Sequence, residues 1–369
     1  MRKVIRLEAI NKKFTGFALK DVNIEVSNGE YYVLLGRSGS GKSLILEIIA
    51  GLQKPSSGKV IINGRDITSL PIHKRRIGFV FQNQSLFPHM TVRENIKFAL
   101  NSKERILQQS NIDNLSDFLN ILHLMERFPL SLSLGESHRV ALVRTLVTNP
   151  SCLLLDEPLS SLDAQSKYEI RSLLRKINQG IVYFGESNKN KPMTVIHVTH
   201  DYEEALALST RISVIEEGLI TQEGKPQEVF RHPKSSFIAK FIGIKNFYRG
   251  HISKSDDSDI CKFEVINEDE NYLYFSVPKP EIFTQEEYSL TIRSEDVILS
   301  LDKIESSVRN IFHGVITDIE NAVNGVEITV DIGGLDISSL ITYGSFKKMN
   351  LQLKQTVYAG FKASAVRFA

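Results

Sequence analysis

The chain has 369 residues, of which 42% are apolar and 24% charged, and its 45 basic and 43 acidic side chains give a formal net charge of +2. Such a chain can form two or three globular domains, and its balanced charge gives no reason to expect nucleic acid as a main partner. Two cysteines, Cys152 and Cys261, exclude a disulfide framework, and Cys152 is expected in the core. No apolar run is long enough to cross a bilayer and no signal peptide is recognisable, so a cytoplasmic location is expected.

Up to about residue 240, short apolar runs alternate with helical patterns, which predicts an α/β fold. The runs are near-continuous, as in strands buried on both faces of a parallel sheet, and cover residues 31–35, 77–81, 152–156 and 194–199. The helical patterns cover about residues 42–52, 91–100, 115–126, 135–148, 164–178 and 201–208. Polar helical residues 101–130 interrupt the alternation and predict an inserted helical subdomain.

After about residue 240 the pattern changes. Polar, turn-prone stretches at 254–259 and 267–271 separate segments in which apolar and polar residues alternate. Three such segments are residues 271–277, 325–333 and 356–368. Alternation of this kind, with Gly and Asp turns, predicts small β-barrel or sandwich modules.

A glycine-rich stretch links the first predicted buried strand to the first predicted helix. It consists of Gly36, Arg37, Ser38, Gly39, Ser40, Gly41, Lys42 and Ser43. Its spacing and position are those of a P-loop, in which backbone N–H groups and a helix N-terminus surround a phosphate. Lys42 is then able to bridge the β- and γ-phosphates of a nucleotide, and the Ser43 hydroxyl to bind Mg²⁺.

Three polar positions follow the ends of other predicted strands. Asp156 and Glu157 end one strand, where Asp156 is able to reach Mg²⁺ and Glu157 to polarise a water molecule; a plain acidic turn is the alternative. His200 ends another strand, where it is able to contact the γ-phosphate, whereas His197 within the strand is expected to be buried packing. Gln82 follows the strand at 77–81 and is able to sense Mg²⁺ or water.

These motifs, in this order, resemble the ATP-binding subunits of ABC transporters over about residues 3–243. The segments that carry the resemblance, besides the P-loop and Gln82, are residues 86–96, 132–137, 153–163 and 198–209. The resemblance implies an ATPase with ATP and Mg²⁺ as cofactors. It also implies a P-loop ABC ATPase domain at 1–240 that contains a helical subdomain at about 84–150.

The resemblance further implies a role for each matching residue. Phe14 would stack on adenine, with Phe17 as its competitor, and Ser43, Gln82 and Asp156 would hold Mg²⁺. Glu157, His200 and Gln82 would be the catalytic residues. The signature would face ATP bound to the partner subunit, and its residues are Ser133, Leu134, Gly135 and Glu136. The D-loop would cover residues 160–163, with Ser161 and Asp163 as its site residues.

The signature departs from the family pattern Leu-Ser-Gly-Gly-Gln at two places. Glu136 replaces glutamine, which is a familiar variation, and Leu134 replaces a glycine that lets backbone approach a phosphate. We therefore hypothesise that ATP is bound and hydrolysed, but more slowly than with glycine at position 134. The alternative is that Leu134 points away from the nucleotide.

The family also implies partners. Two ATP-binding subunits would form a head-to-tail dimer, held at the cytoplasmic face of the membrane by transmembrane permease subunits. A homodimer is expected, although the sequence does not decide whether the two subunits are identical. An extracytoplasmic solute-binding protein would deliver the cargo. No nucleic acid is expected among the partners.

The C-terminal residues 241–369 give the indication of cargo. Residues 291–300 resemble the accessory β-barrel (TOBE) segment of importer ATPases, and residues 306–316 and 358–368 resemble the two ends of a molybdate-binding (Mop-type) module. The resemblance implies a mainly β, OB-like domain that binds molybdate or tungstate and inhibits transport by feedback. The implied oxyanion-binding residues are Ser307, Arg309, Asn310, Lys362 and Ser364.

Several alternatives remain open at this stage. Basic residues that relatives often carry before Ser345 are missing, so a β-barrel with merely solvated Arg and Lys side chains is one alternative. The cargo of an importer could also be sulfate, a polyamine, iron or a sugar. A non-transport ABC ATPase and an oxyanion-binding protein with a decayed ATPase are further alternatives. Residues 180–191 carry no recognised function and are expected to form a solvent loop.

Overall fold

A computed structural model describes residues 3–100, 109–181, 191–253, 259–265, 273–280, 287–303 and 306–368. Parts of the expected helical insert, of the 180–191 stretch and of the polar segments near 254 and 267 lie outside these residues. The chain divides into two compact units, Met1–Val229 and Phe230–Ala369. The helix Ser236–Phe241 therefore lies in the second unit, a few residues before the change of sequence pattern near residue 240.

The first unit alternates strands and helices. Its strands are β1 Lys3–Phe14, β2 Phe17–Ser27, β3 Tyr31–Leu35, β4 Ser57–Ile62, β5 Arg65–Asp66, β6 Ile77–Val80, β7 Cys152–Asp156, β8 Val195–Thr199, β9 Arg211–Glu216 and β10 Leu219–Gly224. Its described helices are α1 Lys42–Ala50, α2 Val92–Phe98, α3 Gln109–Phe118, α4 Leu134–Leu146, α5 Ala164–Asn178, α6 Tyr202–Leu208 and α7 Pro226–Arg231, the last of which crosses the division between units. None of the described helices is long and apolar enough to span a membrane.

A six-stranded sheet forms the centre of this unit, in the order β10-β9-β3-β8-β7-β6. All neighbours are parallel except β10, which pairs antiparallel with β9. The four strands predicted from apolar runs are β3, β6, β7 and β8, and every residue of β3 and β8 is buried. Because parallel strands end at the same edge, the segments that follow them meet there.

A second, antiparallel sheet was not predicted from the sequence. Its order is β2-β1-β4-β5, and it packs with α1 around one core that also includes residues of the central sheet. In β2 the alternating residues Val22, Ile24 and Val26 are buried, which is the period-two signal that could have revealed the strand. The β1–β2 turn brings Phe14 opposite Phe17.

The predicted helix at 115–126 is wrong in its bounds. Helix α3 ends at Phe118, because Asn120 adopts a left-handed backbone conformation with φ of 52° and the Ile121 N–H donates to the Ser116 carbonyl. A short 3₁₀ helix, Leu122–Leu124, follows. The apolar residues Leu119, Ile121 and Leu124 are all fully buried, so they mimic a helical stripe although a turn separates them.

The second unit is mainly β, as predicted. Its strands are β11 Asn246–Ser253, β12 Ile260–Val265, β13 Leu273–Pro278, β14 Tyr288–Ile292, β15 Ile298–Ser300, β16 Asn310–Ala322, β17 Gly325–Asp331, β18 Asp336–Ile341, β19 Thr356–Phe361 and β20 Arg367–Phe368, and its described helices are α8 Ser236–Phe241 and α9 Tyr343–Met349. They form two five-stranded antiparallel sheets, β13-β12-β11-β14-β20 and β15-β19-β16-β17-β18. Phe263 and Phe275 of one sheet and Ile328 and Phe361 of the other share a single core.

Candidate active site

The glycine-rich loop connects β3 to α1, and neighbouring atoms leave little space for side chains at two of its positions. Gly39 and Gly41 have φ of 81° and 105°, a region that side chains rarely adopt. A Cβ atom at Gly41 would lie 2.7 Å from the Phe17 ring, and one at Gly36 would lie 2.5 Å from the Ile215 carbonyl oxygen. Close contacts therefore require glycine at positions 36 and 41, whereas Gly39 has open space around it and is favoured as glycine by its positive φ alone.

Lys42 is held inside this loop. It is the first residue of α1 and is 4% exposed, and its Nζ donates to the carbonyls of Gly36 at 2.8 Å and Arg37 at 2.9 Å. Burial lowers the pKa of Lys42, and the nearby carboxylates of Glu157 and Asp156 partly oppose that shift. The ammonium group is thus positioned where a polyphosphate in the loop would meet it.

Ser43 and Asp156 form a direct pair. The Ser43 Oγ donates to Asp156 Oδ1 at 2.8 Å. Burial raises the pKa of Asp156, and the bond from Ser43 partly offsets that shift. A hydroxyl and a carboxylate are ligands that suit Mg²⁺, and no group of three or more His, Cys, Asp or Glu side chains suited to a metal occurs among the described residues. These two residues therefore fit a Mg²⁺ ion that takes its other ligands from phosphate and water.

The carboxylate of Glu157 lies between the side chains of Lys42 and His200. Its Oε1 is 3.8 Å from Lys42 Nζ and its Oε2 is 3.1 Å from His200 Nδ1. Glu157 has a left-handed φ of 43°, and its N–H donates to the Val198 carbonyl of the neighbouring strand. Strained backbone of this kind, fixed by a hydrogen bond, is typical of functional sites.

Gln82, two residues after the end of β6, contacts the segment that follows β7 and includes Glu157. Its Nε2 donates to Ser160 Oγ at 3.3 Å, and that hydroxyl donates to the Glu157 carbonyl at 3.0 Å. The structure thus brings Gln82 to the segment that carries Glu157. Ser160, the first residue of the predicted D-loop, thus links Gln82 to Glu157, a contact that the sequence motif alone did not indicate.

These elements surround a cavity of about 520 Å³. Its lining residues are Phe14, Phe17, Ser38, Gly39, Gly41, Lys42, Ser43, Leu44, Glu47, Gln82 and Glu157. The volume is in the range of small-molecule and cofactor sites. Glu47 was missed by sequence reasoning, although it follows Ser43 by four residues and so lies on the same face of α1.

Both candidate stacking rings line this cavity. Phe14 is 44% exposed, and Lys12 Nζ lies 5.2 Å from the centre of its ring. Phe17 is half-buried and would contact a Cβ atom at Gly41. The exposed Phe14 ring is the more available of the two for stacking, and Phe17 supports the loop.

The signature forms a capped helix start. Ser133 is the N-cap of α4: its Oγ accepts from the Glu136 N–H at 3.2 Å, and Glu136 Oε2 accepts from the Ser133 N–H at 2.7 Å. This reciprocal capping box lowers the pKa of Glu136. Leu134 is 40% exposed and does not pack into the core, whereas Gly135 is buried, and a Cβ there would lie 3.2 Å from Ser166 Oγ.

The D-loop residues and the signature are not among the residues that line the cavity. Ser161 and Asp163 are exposed, and Asp163 is the N-cap of α5, where its Oδ1 accepts from the Ser166 N–H at 2.9 Å. Hydrogen bonds from Ser166 lower the pKa of Asp163. Within one subunit, the cavity is therefore built without these two segments.

The candidate oxyanion residues come from two neighbouring strand ends. Ser307 and Arg309 precede β16, Lys362 and Ser364 follow β19, and all four are exposed. Because Asn310 pairs with Phe361 in the antiparallel register, the two segments lie side by side. Asn310 differs from the others, since it is 3% exposed and its amide both accepts from the Ser276 N–H at 2.6 Å and donates to the Ser276 carbonyl at 2.9 Å.

A buried polar cluster beside the His200 segment was missed. His197 is fully buried, as expected, but its Nδ1 lies 3.0 Å from the Tyr31 hydroxyl. Glu204, 2% exposed, accepts from Thr199 Oγ1 at 2.8 Å and lies 3.6 Å from Lys167 Nζ. Burial alone would raise the pKa of Glu204, but His197, Thr199 and Lys167 together lower it.

Cys152 is also buried, and burial raises the pKa of its thiol to about 12, so it is a core residue.

The parallel sheet, the P-loop and the convergence of Lys42, Asp156, Glu157 and His200 define a P-loop nucleotide hydrolase. A model of the ABC transporter family matches residues 19–160, and a model of the TOBE domain matches residues 306–368. A solved dimeric ATP-binding cassette bound to ADP and phosphate is 32% identical, with a TM-score of 0.50, over 60% of this chain and 98% of that chain.

Relatives extend the similarity beyond the first unit. The molybdate/tungstate import ATP-binding protein WtpC of Pyrococcus horikoshii is 35% identical over 98% of this chain and 99% of its own. The spermidine/putrescine import ATP-binding protein PotA of Protochlamydia amoebophila is 35% identical over 90% of this chain and 87% of its own. A probable sulfate/thiosulfate import ATP-binding protein CysA of Chlorella vulgaris is 41% identical over 65% of this chain and 99% of its own.

The chain belongs to the ATP-binding subunits of ABC transporters, as an importer ATPase with a C-terminal TOBE domain. It is therefore an enzyme that binds and hydrolyses ATP. The expectation of this family from the sequence motifs is confirmed, and the alternatives of a non-transport ABC ATPase and of a decayed ATPase are not supported.

Proposed function

We propose that this ATPase powers the import of molybdate or tungstate and that its C-terminal domain binds the same oxyanion. One observation carries the proposal: Arg309 and Lys362 flank the paired residues Asn310 and Phe361 and so lie on adjacent strand ends. The relative named for molybdate and tungstate is similar along 98% of this chain, which is consistent with that cargo.

The chemistry of these side chains suits a tetrahedral dianion. A guanidinium and an ammonium provide charge-assisted hydrogen bonds, and the hydroxyls of Ser307 and Ser364 provide neutral ones. The same two cations would repel a polyamine, which distinguishes this proposal from the cargo named for the Protochlamydia amoebophila relative. Sulfate carries the same charge, so size and geometry decide between the oxyanions.

In the proposed reaction each residue of the first unit has a separate task. The residues that would hold Mg²⁺ are Ser43, Asp156 and Gln82, and the ion would neutralise charge on the phosphates. Lys42 and the P-loop N–H groups bind the β- and γ-phosphates. Glu157 accepts the proton of the attacking water, and His200, 3.1 Å away, orients that carboxylate. Phe14 stacks on the adenine.

The proposed assembly follows from the family. Two copies form a homodimer, in which Ser133, Leu134, Gly135, Glu136, Ser161 and Asp163 of one subunit face ATP bound to the other. A similar ATP-binding cassette has been solved as a dimer bound to ADP and phosphate, which supports the dimeric part of this proposal. Transmembrane permease subunits hold the dimer at the cytoplasmic face of the membrane, with a helical subdomain at about 84–150 as the contact, and an extracytoplasmic solute-binding protein delivers the cargo.

In the regulatory part of the proposal, residues 241–369 act on residues 1–240 by sensing the imported oxyanion. Bound oxyanion favours a transport-inactive arrangement of the dimer, which lowers uptake when the cytoplasmic concentration is high. This is allosteric coupling between two sites and two states.

Calorimetric titration of the full chain tests the cargo class. Molybdate, tungstate, sulfate and spermidine are titrated separately into the wild type and into the variants Arg309→Ala and Lys362→Ala. Lys348→Ala, which removes another exposed lysine of the same unit, is the matched control. We expect molybdate or tungstate to bind the wild type and the control, and to bind each of the other two variants at least about tenfold more weakly.

Asn310 is left out of this test for a structural reason. Its amide joins β16 to the backbone of Ser276 in the other sheet, so its loss would weaken folding whatever its role in binding. Binding of spermidine, or of none of the four compounds, would contradict the proposed cargo. Binding of sulfate with higher affinity than molybdate would favour a sulfate importer.

A further inference from the structure

The segment after Gln82 holds two consecutive residues in a strained backbone conformation. Gln84 and Ser85 have φ of 47° and 48°, the left-handed region that favours glycine, and neither is glycine. Single residues adopt this region at a cost, and two in succession persist only when their surroundings hold them. Side chains outside this segment are therefore expected to hold it.

Arg144, in the last turn of α4, contacts both strained residues. Its Nη2 donates to the Gln84 carbonyl at 2.7 Å and its Nη1 donates to the Ser85 carbonyl at 2.8 Å. The guanidinium also lies 5.9 Å from the centre of the Phe87 ring. A planar group with parallel donors is suited to fixing two successive carbonyls in one orientation.

His138, one turn into the same helix, provides a second contact. It is 2% exposed, and its Nε2 lies 2.5 Å from Nε2 of Gln84. The Gln84 amide also donates to the Gln82 carbonyl at 2.9 Å. Burial lowers the pKa of His138 to about 4, so near neutral pH its Nε2 is able to accept the bond from Gln84.

We propose that Arg144 and His138 are positioning residues that hold the Gln82 loop in its strained conformation. Gln82 in turn contacts Ser160, which bonds to the Glu157 carbonyl, so the loop lies against the turn that carries the catalytic carboxylate. An effect of these two side chains on ATP hydrolysis rests on the role of Gln82 under the proposed function. Their effect on the conformation of the loop is independent of that role.

Helix α4 therefore has two roles. The helix begins at the capped Ser133 of the signature and carries both clamping side chains. A shift of α4 is therefore passed to the Gln82 loop through His138 and Arg144. Neither side chain is among the residues that line the ATP cavity, so they act through Gln84 and Ser85 rather than on nucleotide.

The first test replaces Arg144 with lysine in the full-length protein. A lysine keeps the charge but is not able to bind both carbonyls with a planar pair of donors. We expect amide hydrogen exchange to become faster in residues 82–87, and kcat for ATP to fall about tenfold, which is ~1.4 kcal/mol in the barrier. The KM for ATP is expected to stay within about twofold, because the P-loop is unchanged.

A rescue experiment separates clamping from general stability. Ser85→Gly in the Arg144→Lys background removes the cost of the left-handed conformation, so we expect kcat to recover by about threefold or more. The matched control is Asn120→Gly, which places glycine at another left-handed residue, at the end of α3. It is expected to change thermal stability without recovering kcat.

His138 is tested by a conservative pair of variants. His138→Gln keeps a side-chain oxygen that is able to accept from Gln84 and is expected to retain exchange protection in residues 82–87. His138→Leu is expected to lose that protection.

Two results would overturn the proposal: unchanged exchange in residues 82–87 on Arg144→Lys, or equal recovery of kcat by Ser85→Gly and Asn120→Gly. Gln82→Ala, measured in parallel, separates the two proposals. Full activity of Gln82→Ala would contradict the proposed role of Gln82, and the exchange measurements would still decide whether α4 holds the loop.

Discussion

His200 Nδ1 lies 3.1 Å from Glu157 Oε2, while Lys42 Nζ lies 3.8 Å from the other oxygen of the same carboxylate. The carboxylate of Glu157 is thus held between a switch-type histidine and the P-loop lysine. All three side chains come from segments that follow parallel strands of one sheet, which explains how distant parts of the sequence meet.

The first prediction concerns this carboxylate. Glu157→Gln keeps the size of the side chain but removes the proton acceptor, so kcat for ATP hydrolysis should fall by about 10²- to 10⁴-fold while ATP affinity is retained. Steady-state kinetics and nucleotide titration measure the two quantities. Glu47→Gln, at the other carboxylate that lines the cavity, is the control and should change kcat by less than about threefold. Equal losses in the two variants would contradict a specific role for Glu157.

The second prediction concerns the signature. Leu134 is exposed at the first position of α4. In the proposed dimer its side chain would face ATP bound to the partner subunit. Leu134→Gly should therefore raise the ATPase rate of the assembled transporter, by about threefold or more. Leu130→Gly makes the same change at a residue that is 88% exposed and outside the signature helix, and it should leave the rate unchanged. An unaltered rate for Leu134→Gly would mean that Leu134 points away from nucleotide.

The third prediction concerns the buried carboxylate of Asp156. Burial raises the pKa of Asp156 above the ordinary value of an aspartate. The free energy of unfolding of the nucleotide-free protein therefore falls as pH rises from that ordinary value through the raised one, because the buried carboxyl ionises. Asp156→Asn should raise the unfolding temperature of the nucleotide-free protein by about 2–4 °C at neutral pH and by less at acid pH. The same variant should lose most of the further stabilisation that Mg²⁺ with ATP provides. A lower unfolding temperature at neutral pH would contradict this account of the site.

The fourth prediction concerns the buried cluster behind His200. The pKa of Glu204 is lowered, so its contribution to stability is present above the ordinary pKa of glutamate and is lost as pH falls through the lowered value. Glu204→Gln should lower the free energy of unfolding by about 1–3 kcal/mol at neutral pH, and by less in acid. Denaturant unfolding measures the difference. Glu203→Gln changes the exposed neighbour on the same helix and should have almost no effect.

Much of the first unit could be predicted because its signals are local. The strands β3, β6, β7 and β8 are short apolar runs, and the P-loop has a fixed spacing between a strand and a helix. Parallel strands bring their ends to one edge, so strand-end residues such as Asp156 and His200 could be expected to meet.

What the sequence did not reveal depends on contacts between distant residues. The contact of Phe17 with the position of Gly41 requires the antiparallel sheet that lies over the loop. The bonds of Arg144 to Gln84 and Ser85 span about sixty residues, and nothing in the local pattern marks the left-handed backbone there. In the second unit, Asn310 looks like a ligand within its motif, but its amide joins two sheets.

Transport by the assembled system is the most direct test of the central claim. Vesicles that contain this ATPase and its permease are supplied with ATP on the ATPase side, and uptake of molybdate, tungstate, sulfate and spermidine is measured separately. We predict ATP-dependent uptake of molybdate or tungstate, suppressed when molybdate is loaded beforehand on the ATPase side and not suppressed in Arg309→Ala. Uptake of sulfate or spermidine instead, or uptake of molybdate that preloading stimulates or leaves unchanged, would contradict the account.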